Sequence, residues 1–600
     1  MLVHCNETDH TVTLEEHDAF LELTEQSPDA VAARFFPSSG ADKPDLTGCT
    51  LTEAVGCLGI LRYKGSVFVV VAVGPELPVH DVCKIYDVLF FDLTGQHEPV
   101  AKFSKHPCFH LREVLSDGSL HYSREFDITT RLESRLTDRT RRQTTCDPVS
   151  RRDLSHPPPP PPSFSGTPKL TWNHFLLEPL RRFYAGLSAE ERDEWHTRSF
   201  AMPLMRGAHL VREFELGGQR ATLTIISRKG WGRDGTRLAK RGVDDAGNVG
   251  NFAETETLLE TSTHAIAFVQ VRGSVPLKWQ EPAIWTGPSK VHIDQPLANV
   301  SLIPFAKHFS SLLASYRQVH ILSFMTSSRT GYLSAERALG EAYRTLYRLA
   351  SPPDSVFARN VIYEHFEVRQ DGTYDPVSIG GDVQASLGAY GATVVRFDAR
   401  GRPTVIAQQE GTFRVNCREC CDRTGLGAFS LSSAALSTQL KRLGLLSFAG
   451  SELEKVHRDL FAANNDIIAY IYAGSPAMNS RFIRTGMDDE QQKKENHRNW
   501  EMRKKQYELH DKDKNKATEV LTGQYRKQEL LPVLLNARLA PAPCSSSDAT
   551  ALPTPPPPRS LPRAALLPHP SLEATISSAR TASVSVFSST KVAVFRSQLV

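Results

Sequence analysis

Cys417 is followed by five residues and then by Arg423 and Thr424, within residues 411–427. A loop of this length can turn successive backbone N–H groups into one concavity that holds a phosphate. Arg423 can close the ring with two parallel hydrogen bonds to phosphate oxygens. Cys417 would then lie below the phosphorus as the nucleophile, and the positive surroundings would favour its thiolate. The spacing therefore predicts a cysteine-dependent phosphatase loop.

The flanking segments predict the elements that position this loop. Residues 412–416 are rich in β-branched and aromatic side chains, which favours a strand entering the loop. After Thr424 the apolar residues recur at helical spacing, so a helix is expected to begin where the phosphate would lie. Three cysteines within five positions also suggest a zinc site, but no second Cys/His pair with ligand spacing lies nearby. We expect no metal and no cofactor.

Residues 414–425 read Arg-Val-Asn-Cys-Arg-Glu-Cys-Cys-Asp-Arg-Thr-Gly. They resemble the signature Arg-Thr-Asn-Cys-x-Asp-Cys-x-Asp-Arg-Thr-Asn of the Sac-domain phosphoinositide phosphatases. Three positions depart from it: Val415 replaces Thr, Glu419 replaces the first Asp, and Gly425 replaces the final Asn. The nucleophile and the arginine are intact, so the departures bear on rate and substrate choice more than on the class of reaction.

Separate blocks elsewhere in the chain also resemble this family, and in the same order. Residues 241–256 are similar to Arg-Gly-x-Asp-Asp-x-Gly-x-x-x-Asn-x-x-Glu-Thr-Glu, and residues 270–279 to Gln-x-Arg-Gly-Ser-x-Pro-Leu-x-Trp. Residues 464–466 resemble Asn-Gly-Asp, with Asn465 in place of Gly. Taken alone, the polar block at 241–256 is equally typical of a solvated loop. The resemblance implies that it supports the site, through Asp244, Asp245, Asn248, Asn251, Glu254 and Glu256.

The resemblance implies roles for the residues of the loop. Cys417 attacks the phosphorus, Arg423 stabilises the transferring oxygens, and Thr424 hydrogen-bonds the sulfur. Asp422 is the first candidate for the general acid, with Glu419 or an acid of residues 241–256 as the alternative. Arg272 either serves the substrate phosphate or pairs with an acid of the fold. The residues expected around the substrate are Asn416, Arg418, Glu419, Cys420, Cys421 and Arg272.

The implied function is removal of a phosphate monoester from the inositol ring of a membrane lipid. Phosphatidylinositol 4-phosphate is the first expected substrate, followed by the 3-phosphate and the 3,5-bisphosphate. The alternative is a catalytically weak Sac-like protein that binds lipid or acts as a scaffold. A further hypothesis is that Cys420 or Cys421 captures an oxidised Cys417 as a reversible disulfide.

The composition limits the class of protein. A net charge of +3 over 600 residues gives no global field that would attract nucleic acid. Ten cysteines without an N-terminal secretory signal fit a reducing compartment, and no apolar run reaches the roughly 18 residues of a membrane span. We therefore expect a cytoplasmic protein that associates peripherally with membranes.

The expected fold class is α/β, with a β-rich N-terminal subdomain before a mixed α/β, cysteine-phosphatase-type catalytic domain that carries a strand–loop–helix unit. A basic and proline-rich segment is interpreted as a semi-rigid linker or insertion, and proline-reading or recruiting proteins are its candidate partners. A charged, partly helical and solvated extension and a disordered tail are expected at the end. The predicted boundaries are 1–136, 137–166, 167–487, 488–536 and 537–600.

Overall fold

The computed structural model describes twelve stretches of the chain. The predictions made for the linker at 137–166 and for nearly all of the tail at 537–600 concern residues outside these stretches. The described residues are 1–27, 30–95, 106–136, 168–195, 198–281, 291–326, 334–366, 381–445, 447–487, 490–509, 511–525 and 534–537.

A front region that consists mainly of strands precedes a region in which strands and helices are mixed. The strands are β1 (Leu2–Asn6), β2 (Thr11–Glu16), β3 (Ala19–Ser27), β4 (Ala30–Phe36), β5 (Thr50–Glu53), β6 (Gly56–Tyr63), β7 (Ser66–Val73), β8 (Cys83–Lys84), β9 (Asp87–Asp92), β10 (Leu120–Tyr122), β11 (Met205–Leu216), β12 (Gln219–Lys229), β13 (Ala253–Thr261), β14 (His264–Arg272), β15 (Trp279–Gln280), β16 (His292–Ile293), β17 (Gln318–Ser323), β18 (Val361–His365), β19 (Thr393–Phe397), β20 (Pro403–Ala407), β21 (Gly411–Asn416) and β22 (Leu534–Ala537). The helices are α1 (Phe109–Leu115), α2 (His174–Gly186), α3 (Ala189–Trp195), α4 (Leu297–Val300), α5 (Leu302–Tyr316), α6 (Ser334–Ala350), α7 (Val356–Asn360), α8 (Gly381–Tyr390), α9 (Asp422–Arg442), α10 (Glu452–Ala473), α11 (Ser480–Thr485), α12 (Glu490–Leu509) and α13 (Asp511–Leu521).

Two smaller sheets form the front of the molecule. One has the strand order β22-β4-β3-β2-β1-β5, and the other is the antiparallel set β6-β7-β9. Strands β6 and β7 are buried along nearly their whole length, and a tight turn at Lys64 and Gly65 joins them. The β-rich N-terminal region expected from the sequence is thus confirmed.

A larger mixed sheet carries the loop. Its main path is β18-β17-β21-β14-β13-β12-β11-β10-β8, with β19 and β20 added beside β14. Strands β18, β17, β21 and β14 run parallel, whereas β11 to β14 form antiparallel hairpins. In register, Val415 lies opposite Arg272 and Asn416 lies opposite Ser323. These three strands therefore end at one edge of the sheet, and the edge at the carboxyl ends of parallel strands is where α/β proteins place their ligands.

Helices cover both faces of the parallel strands, because parallel sheets are stable when both faces are buried. Helices α9 and α10 pack on one face through Leu436 and Phe461, and α5 and α6 pack on the other through Phe309 and Leu346. Strand β21 is buried along its whole length. The expected strand at 412–416, the helix after Thr424 and the α/β fold class are confirmed.

The C-terminal helices differ from the solvated extension that the sequence suggests. Helices α12 and α13 cover residues 490–509 and 511–521, and α12 turns Gln492, Asn499 and Arg503 inward. Gln492 accepts a hydrogen bond from Phe482 N, and Asn499 donates to Ala477 O. The solvated interpretation is therefore wrong for this face, which packs polar side chains onto the rest of the molecule.

Candidate active site

The loop from Cys417 to Cys421 joins the end of β21 to the start of α9. Cys417 is 2 % exposed, and its neighbours on the loop are also largely buried. The first turn of α9 leaves backbone N–H groups without helical partners, and this end of a helix favours negative charge. The expected strand–loop–helix unit is present, and Cys417 is the first residue of its loop.

Arg423 lies in the first turn of α9 and is held from α6. Its Nη1 donates to Oε1 of Glu336 at 2.6 Å and to Phe324 O at 2.9 Å, and its Nη2 donates to Oε2 of Glu336 at 2.9 Å. Glu336 is fully buried, so its charge requires a partner of this kind. Glu336 thereby fixes the plane of the guanidinium group beside the loop.

Glu419, the residue that departs from the Sac signature, lies among three arginines. Its carboxylate accepts hydrogen bonds from Arg237 at 2.7 Å, Arg241 at 3.3 Å and Arg503 at 3.1 Å. Burial alone would raise the pKa of Glu419, but the positive charges of Arg237, Arg241 and Arg503 outweigh burial and lower that pKa well below its usual value. Glu419 therefore remains ionised and is poorly suited to donate a proton.

Asp422 lies at the start of α9 and is also engaged by Arg503. Two N–H groups of Arg503 donate to the two carboxylate oxygens of Asp422, each at 3.0 Å. The backbone N–H of Met478 donates to the same carboxylate at 2.8 Å. Arg503 thus joins Glu419 and Asp422 from α12.

Arg418 and Arg241 share one carboxylate on the opposite side of the loop. Glu281 accepts from Arg418 at 2.5 Å and from Arg241 at 2.8 Å, and Arg241 also donates to the carbonyl of Arg418 at 3.3 Å. Both guanidinium groups are 2 % exposed. The loop is therefore surrounded by guanidinium groups, as a phosphate site requires.

Cys420 and Cys421 end the loop and are buried, and Cys420 has a positive φ of 54°. The thiol of Cys420 donates to the carbonyl of Cys417 at 3.3 Å, and that of Cys421 to the carbonyl of Glu419 at 3.5 Å. Burial raises the pKa of Cys420 to about 12 and raises that of Cys421 further. Both therefore favour the thiol form, which is a weak nucleophile for disulfide exchange.

Arg272 ends β14 below the loop, close enough to Cys417, Cys420 and Cys421 to interact electrostatically with them. Its Nη2 donates to Oδ1 of Asn465 on α10 at 3.0 Å. Within the described stretches Arg272 forms no ion pair, although it is 2 % exposed. Of the two roles that the sequence leaves open for Arg272, pairing with an acid is therefore not seen.

Two further loop residues have contrasting environments. The amide of Asn416 accepts from Arg414 at 3.0 Å and donates to Ser323 Oγ at 3.3 Å, so it braces β21 against its neighbours. Thr424 is fully buried, and its hydroxyl has no hydrogen-bond partner among the described residues. The Thr424 hydroxyl is therefore available for the hydrogen bond to the Cys417 sulfur that is expected from the sequence.

Some residues of the polar block at 241–256 contact the loop and others do not. Asn251 donates to the carbonyls of Cys420 at 3.2 Å and Glu419 at 3.4 Å. Glu254, on β13, pairs instead with Arg228 and accepts from the Tyr316 hydroxyl, and Glu256 also pairs with Arg228. Asp244 accepts hydrogen bonds from Asn248, and the exposed Asp245 pairs with Lys278.

Of this block, Asn251 contacts the loop, whereas β13 directs Glu254 toward the buried Arg228, which lies on β12, three strands from β21. Sequence reasoning did not identify several residues that contact the loop. Their signal was weak, since each is a single charged residue in a polar segment or on a helix. They are Arg237, Glu281, Glu336 and Arg503.

Membrane spans and metal sites are the two remaining features considered from the sequence. No helix in the described part of the chain is both long and apolar enough to cross a membrane. Over the same residues, no three His, Cys, Asp or Glu side chains are grouped as metal ligands.

Comparison with known proteins identifies the family. The family model described as "SacI homology domain" matches residues 55–371, which is more than half of the 600 residues. The matched segment includes Asn251, Arg272 and Glu336 and ends before Cys417.

Curated relatives extend the similarity over most of the chain. The chain is 31% identical over 461 residues to the inositol-1,4,5-trisphosphate 5-phosphatase 1 of Schizosaccharomyces pombe, covering 72% of this chain and 40% of that protein. It is 28% identical over 473 residues to the polyphosphatidylinositol phosphatase INP53 of Saccharomyces cerevisiae, covering 73% and 40%. It is 25% identical over 461 residues to the phosphatidylinositol-3-phosphatase SAC1-B of Danio rerio, covering 74% and 72%.

The chain thus spans about two fifths of the length of the first two relatives and nearly three quarters of the third. These matches and the family model agree with the resemblance found in the loop and in the blocks before and after it. The chain belongs to the SacI homology domain family, whose relatives here are phosphoinositide phosphatases.

Proposed function

We propose that this protein hydrolyses a phosphate monoester on the inositol ring of a membrane phosphoinositide through a cysteinyl-phosphate intermediate. The observation that carries the proposal is the position of Cys417. It begins a loop that bears Arg418, is followed by Arg423 in the first turn of α9, and is contacted by Arg237, Arg241 and Arg503. Together with Arg272, these guanidinium groups outnumber the four described carboxylates that contact them, which are Glu281, Glu336, Glu419 and Asp422. The excess of positive charge favours a multiply charged anion, and a thiol in the same loop supplies a nucleophile.

The reaction proceeds in two displacements. The sulfur of Cys417 attacks phosphorus, the bond between phosphorus and the inositol oxygen breaks, and that oxygen takes a proton and leaves as a hydroxyl. Water then attacks the phosphorus of the cysteinyl-phosphate, the sulfur leaves as thiolate, and inorganic phosphate is released. Arg423 and the loop N–H groups stabilise the charge that develops on the transferring oxygens.

Asp422 is the proposed proton donor to the leaving oxygen. An alkoxide is a poor leaving group, so a positioned acid should contribute about a hundredfold or more to the rate. Glu419 is less suitable because three arginines, Arg237, Arg241 and Arg503, hold it in the ionised form, whereas among the described residues Asp422 is hydrogen-bonded by a single arginine, Arg503. Glu419 instead spaces these arginines around the loop.

The substrate class follows from the family and from the names of the relatives. These names specify phosphate groups on inositol or inositol lipids, including the 3-phosphate of phosphatidylinositol. We propose phosphatidylinositol 4-phosphate as the first substrate to test, followed by the 3-phosphate and the 3,5-bisphosphate. Recruitment to the membrane surface by a proline-reading protein at 157–162 also belongs to this proposal.

The test is phosphate release by the purified full chain from vesicles that each contain one phosphoinositide. Wild type should release phosphate from at least one lipid, and Cys417→Ser should release none. Cys49→Ser, a thiol substitution in the N-terminal region, serves as the matched control and should retain activity. Equal activity in wild type and Cys417→Ser would refute the nucleophile, and lipid binding without turnover would favour the lipid-binding alternative.

A further inference from the structure

Gly425 and Asn465 lie in direct contact between two helices. A Cβ placed on Gly425, in the first turn of α9, would be 2.8 Å from both Cγ and Nδ2 of Asn465 and 3.0 Å from Oδ1. Carbon atoms pack best at about 3.5 to 4.0 Å, so a side chain at position 425 would overlap the amide. Asn465 is 2 % exposed and cannot turn into solvent. Glycine at 425 is therefore required by the residue at 465.

Asn465 also holds the guanidinium group that lies below the loop. Its Oδ1 accepts the hydrogen bond from Arg272 Nη2 at 3.0 Å, whereas Arg272 Nη1 and Asn465 Nδ2 have no partner among the described residues. A buried cation without a carboxylate partner needs such an acceptor to keep one orientation. The amide of Asn465 is thus placed to set the direction of Arg272.

Both residues depart from the patterns that the chain resembles. The Sac signature has Asn where this chain has Gly425, and the Asn-Gly-Asp pattern has Gly where this chain has Asn465. In this chain, as in the Sac patterns, one of the two contacting positions carries an amide and the other is glycine. Here the amide lies on α10, at Asn465, whereas the Sac patterns place it at the position of Gly425 on α9. Two amides would overlap, and two glycines would leave Arg272 without its acceptor.

We propose that Asn465 is a positioning residue for the phosphatase loop, supplying from α10 the amide that orients Arg272, and that Gly425 provides the space this amide needs. The effect on turnover rests on the proposed function. The steric fit between Gly425 and Asn465 and the hydrogen bond from Arg272 to Asn465 do not rest on the proposed function.

The steric exchange is tested by urea unfolding of the full chain, with Gly425→Asn, Asn465→Gly and the double variant. Each single variant should lower the unfolding midpoint clearly, and the double variant should recover most of the loss. If Gly425→Asn is too unstable to purify, recovery of soluble folded protein by the double variant becomes the readout. Ala463→Gly, on a partly exposed position of α10, controls for the cost of glycine in a helix. Additive losses, or a Gly425→Asn variant as stable as wild type, would overturn the pairing.

The orienting role is tested with Asn465→Asp and the phosphate analogue tungstate. The carboxylate keeps the shape and the acceptor and adds a charge that pairs with Arg272. We expect the unfolding midpoint to be at least that of wild type, but tungstate affinity and kcat to fall tenfold or more. Unchanged affinity and kcat would show that the phosphate does not use the charge of Arg272, which would overturn the positioning role and leave only packing. Absence of turnover in wild type would refute the proposed function. The unfolding comparison would still show whether Gly425 and Asn465 depend on each other.

Discussion

Arg503 of α12 forms a two-pronged ion pair with Asp422, the first residue of the helix that follows the loop. The two residues are 81 positions apart in the chain, and Arg503 also reaches Glu419 at 3.1 Å. Arg503 is 1 % exposed, so its charge is balanced by these two carboxylates rather than by water. The segment after residue 487 therefore contributes a wall of the candidate site.

We predict that Arg503→Ala weakens both the fold and the activity. Without Arg503, the carboxylates of Glu419 and Asp422 lie near each other with less positive charge to balance them. This loss should lower the free energy of unfolding by about 3 kcal/mol. The displaced loop should release phosphate about a hundredfold more slowly. Urea unfolding and phosphate release from vesicles measure the two effects. Arg498→Ala, an exposed arginine on the same helix, is the control and should change neither.

Glu336→Gln tests whether α6 orients Arg423. The amide keeps the size of the side chain but loses the charge and one of the two acceptors that hold the guanidinium group. We expect kcat to fall roughly tenfold to a hundredfold, with KM changed much less. The reason is that Glu336 orients Arg423 toward the negative charge that develops on the phosphate oxygens during transfer. Glu341→Gln on the exposed face of α6 should behave as wild type. Equal kcat in wild type and Glu336→Gln would contradict this role.

The local units around the loop could be predicted from the sequence because their signals are local. Strand β21 and helix α9 follow from β-branched content and helical spacing. Strands β2 to β4 were not apparent, because β4 is buried on both faces and so lacks the polar alternation of a one-sided strand. The sequence of residues 82–91 indicates a single strand, whereas the structure divides it into β8 and β9, which join different sheets.

The contacts made over long sequence distances could not be predicted. The inward face of α12 is polar, so hydrophobic periodicity could not distinguish Arg503 from the other basic residues of the helix. The pairing of Gly425 with Asn465 required the packing of α9 against α10, although both departures were visible in the sequence. A spacing pattern identifies the loop, whereas its arginine partners depend on tertiary structure.

Stability should fall below about pH 6.5, and His457 provides a defined test. Burial lowers the pKa of His457 to about 3, and the side chain hydrogen-bonds Ser432 at 2.8 Å. Unfolded histidine binds a proton near pH 6.5 while the folded one does not, so this stabilisation is present above that pH and is lost as pH falls. Between pH 7.5 and 5.0 the loss amounts to about 2 kcal/mol for one histidine.

Comparison of wild type with His457→Gln isolates this contribution. Asp127 acts in the opposite direction, because burial raises its pKa to about 6 and the folded state therefore gains a proton first as pH falls. That opposing effect is common to both proteins and cancels in the difference. The stability advantage of wild type over His457→Gln, measured by urea unfolding, should shrink by about 2 kcal/mol from pH 7.5 to 5.0. A difference that does not change with pH would contradict the assignment.

The role of Asp422 as general acid can be separated from its role as the partner of Arg503. Asp422→Asn removes the proton donor and weakens the ion pair in one change. Loss of the ion pair should slow every substrate, whereas loss of the acid should slow only substrates whose leaving group needs a proton. An aryl phosphate with an acidic phenol as leaving group provides the comparison, since its departing oxygen is stable as an anion.

We therefore expect Asp422→Asn to reduce phosphoinositide hydrolysis at least a hundredfold more than aryl phosphate hydrolysis, both measured as kcat/KM. Arg503→Lys is the matched control: it loosens the same pair but keeps the acid, so it should slow the two substrates by similar factors. If Asp422→Asn slows both substrates equally, Asp422 serves only to anchor Arg503, and the leaving oxygen takes its proton from another group or from water.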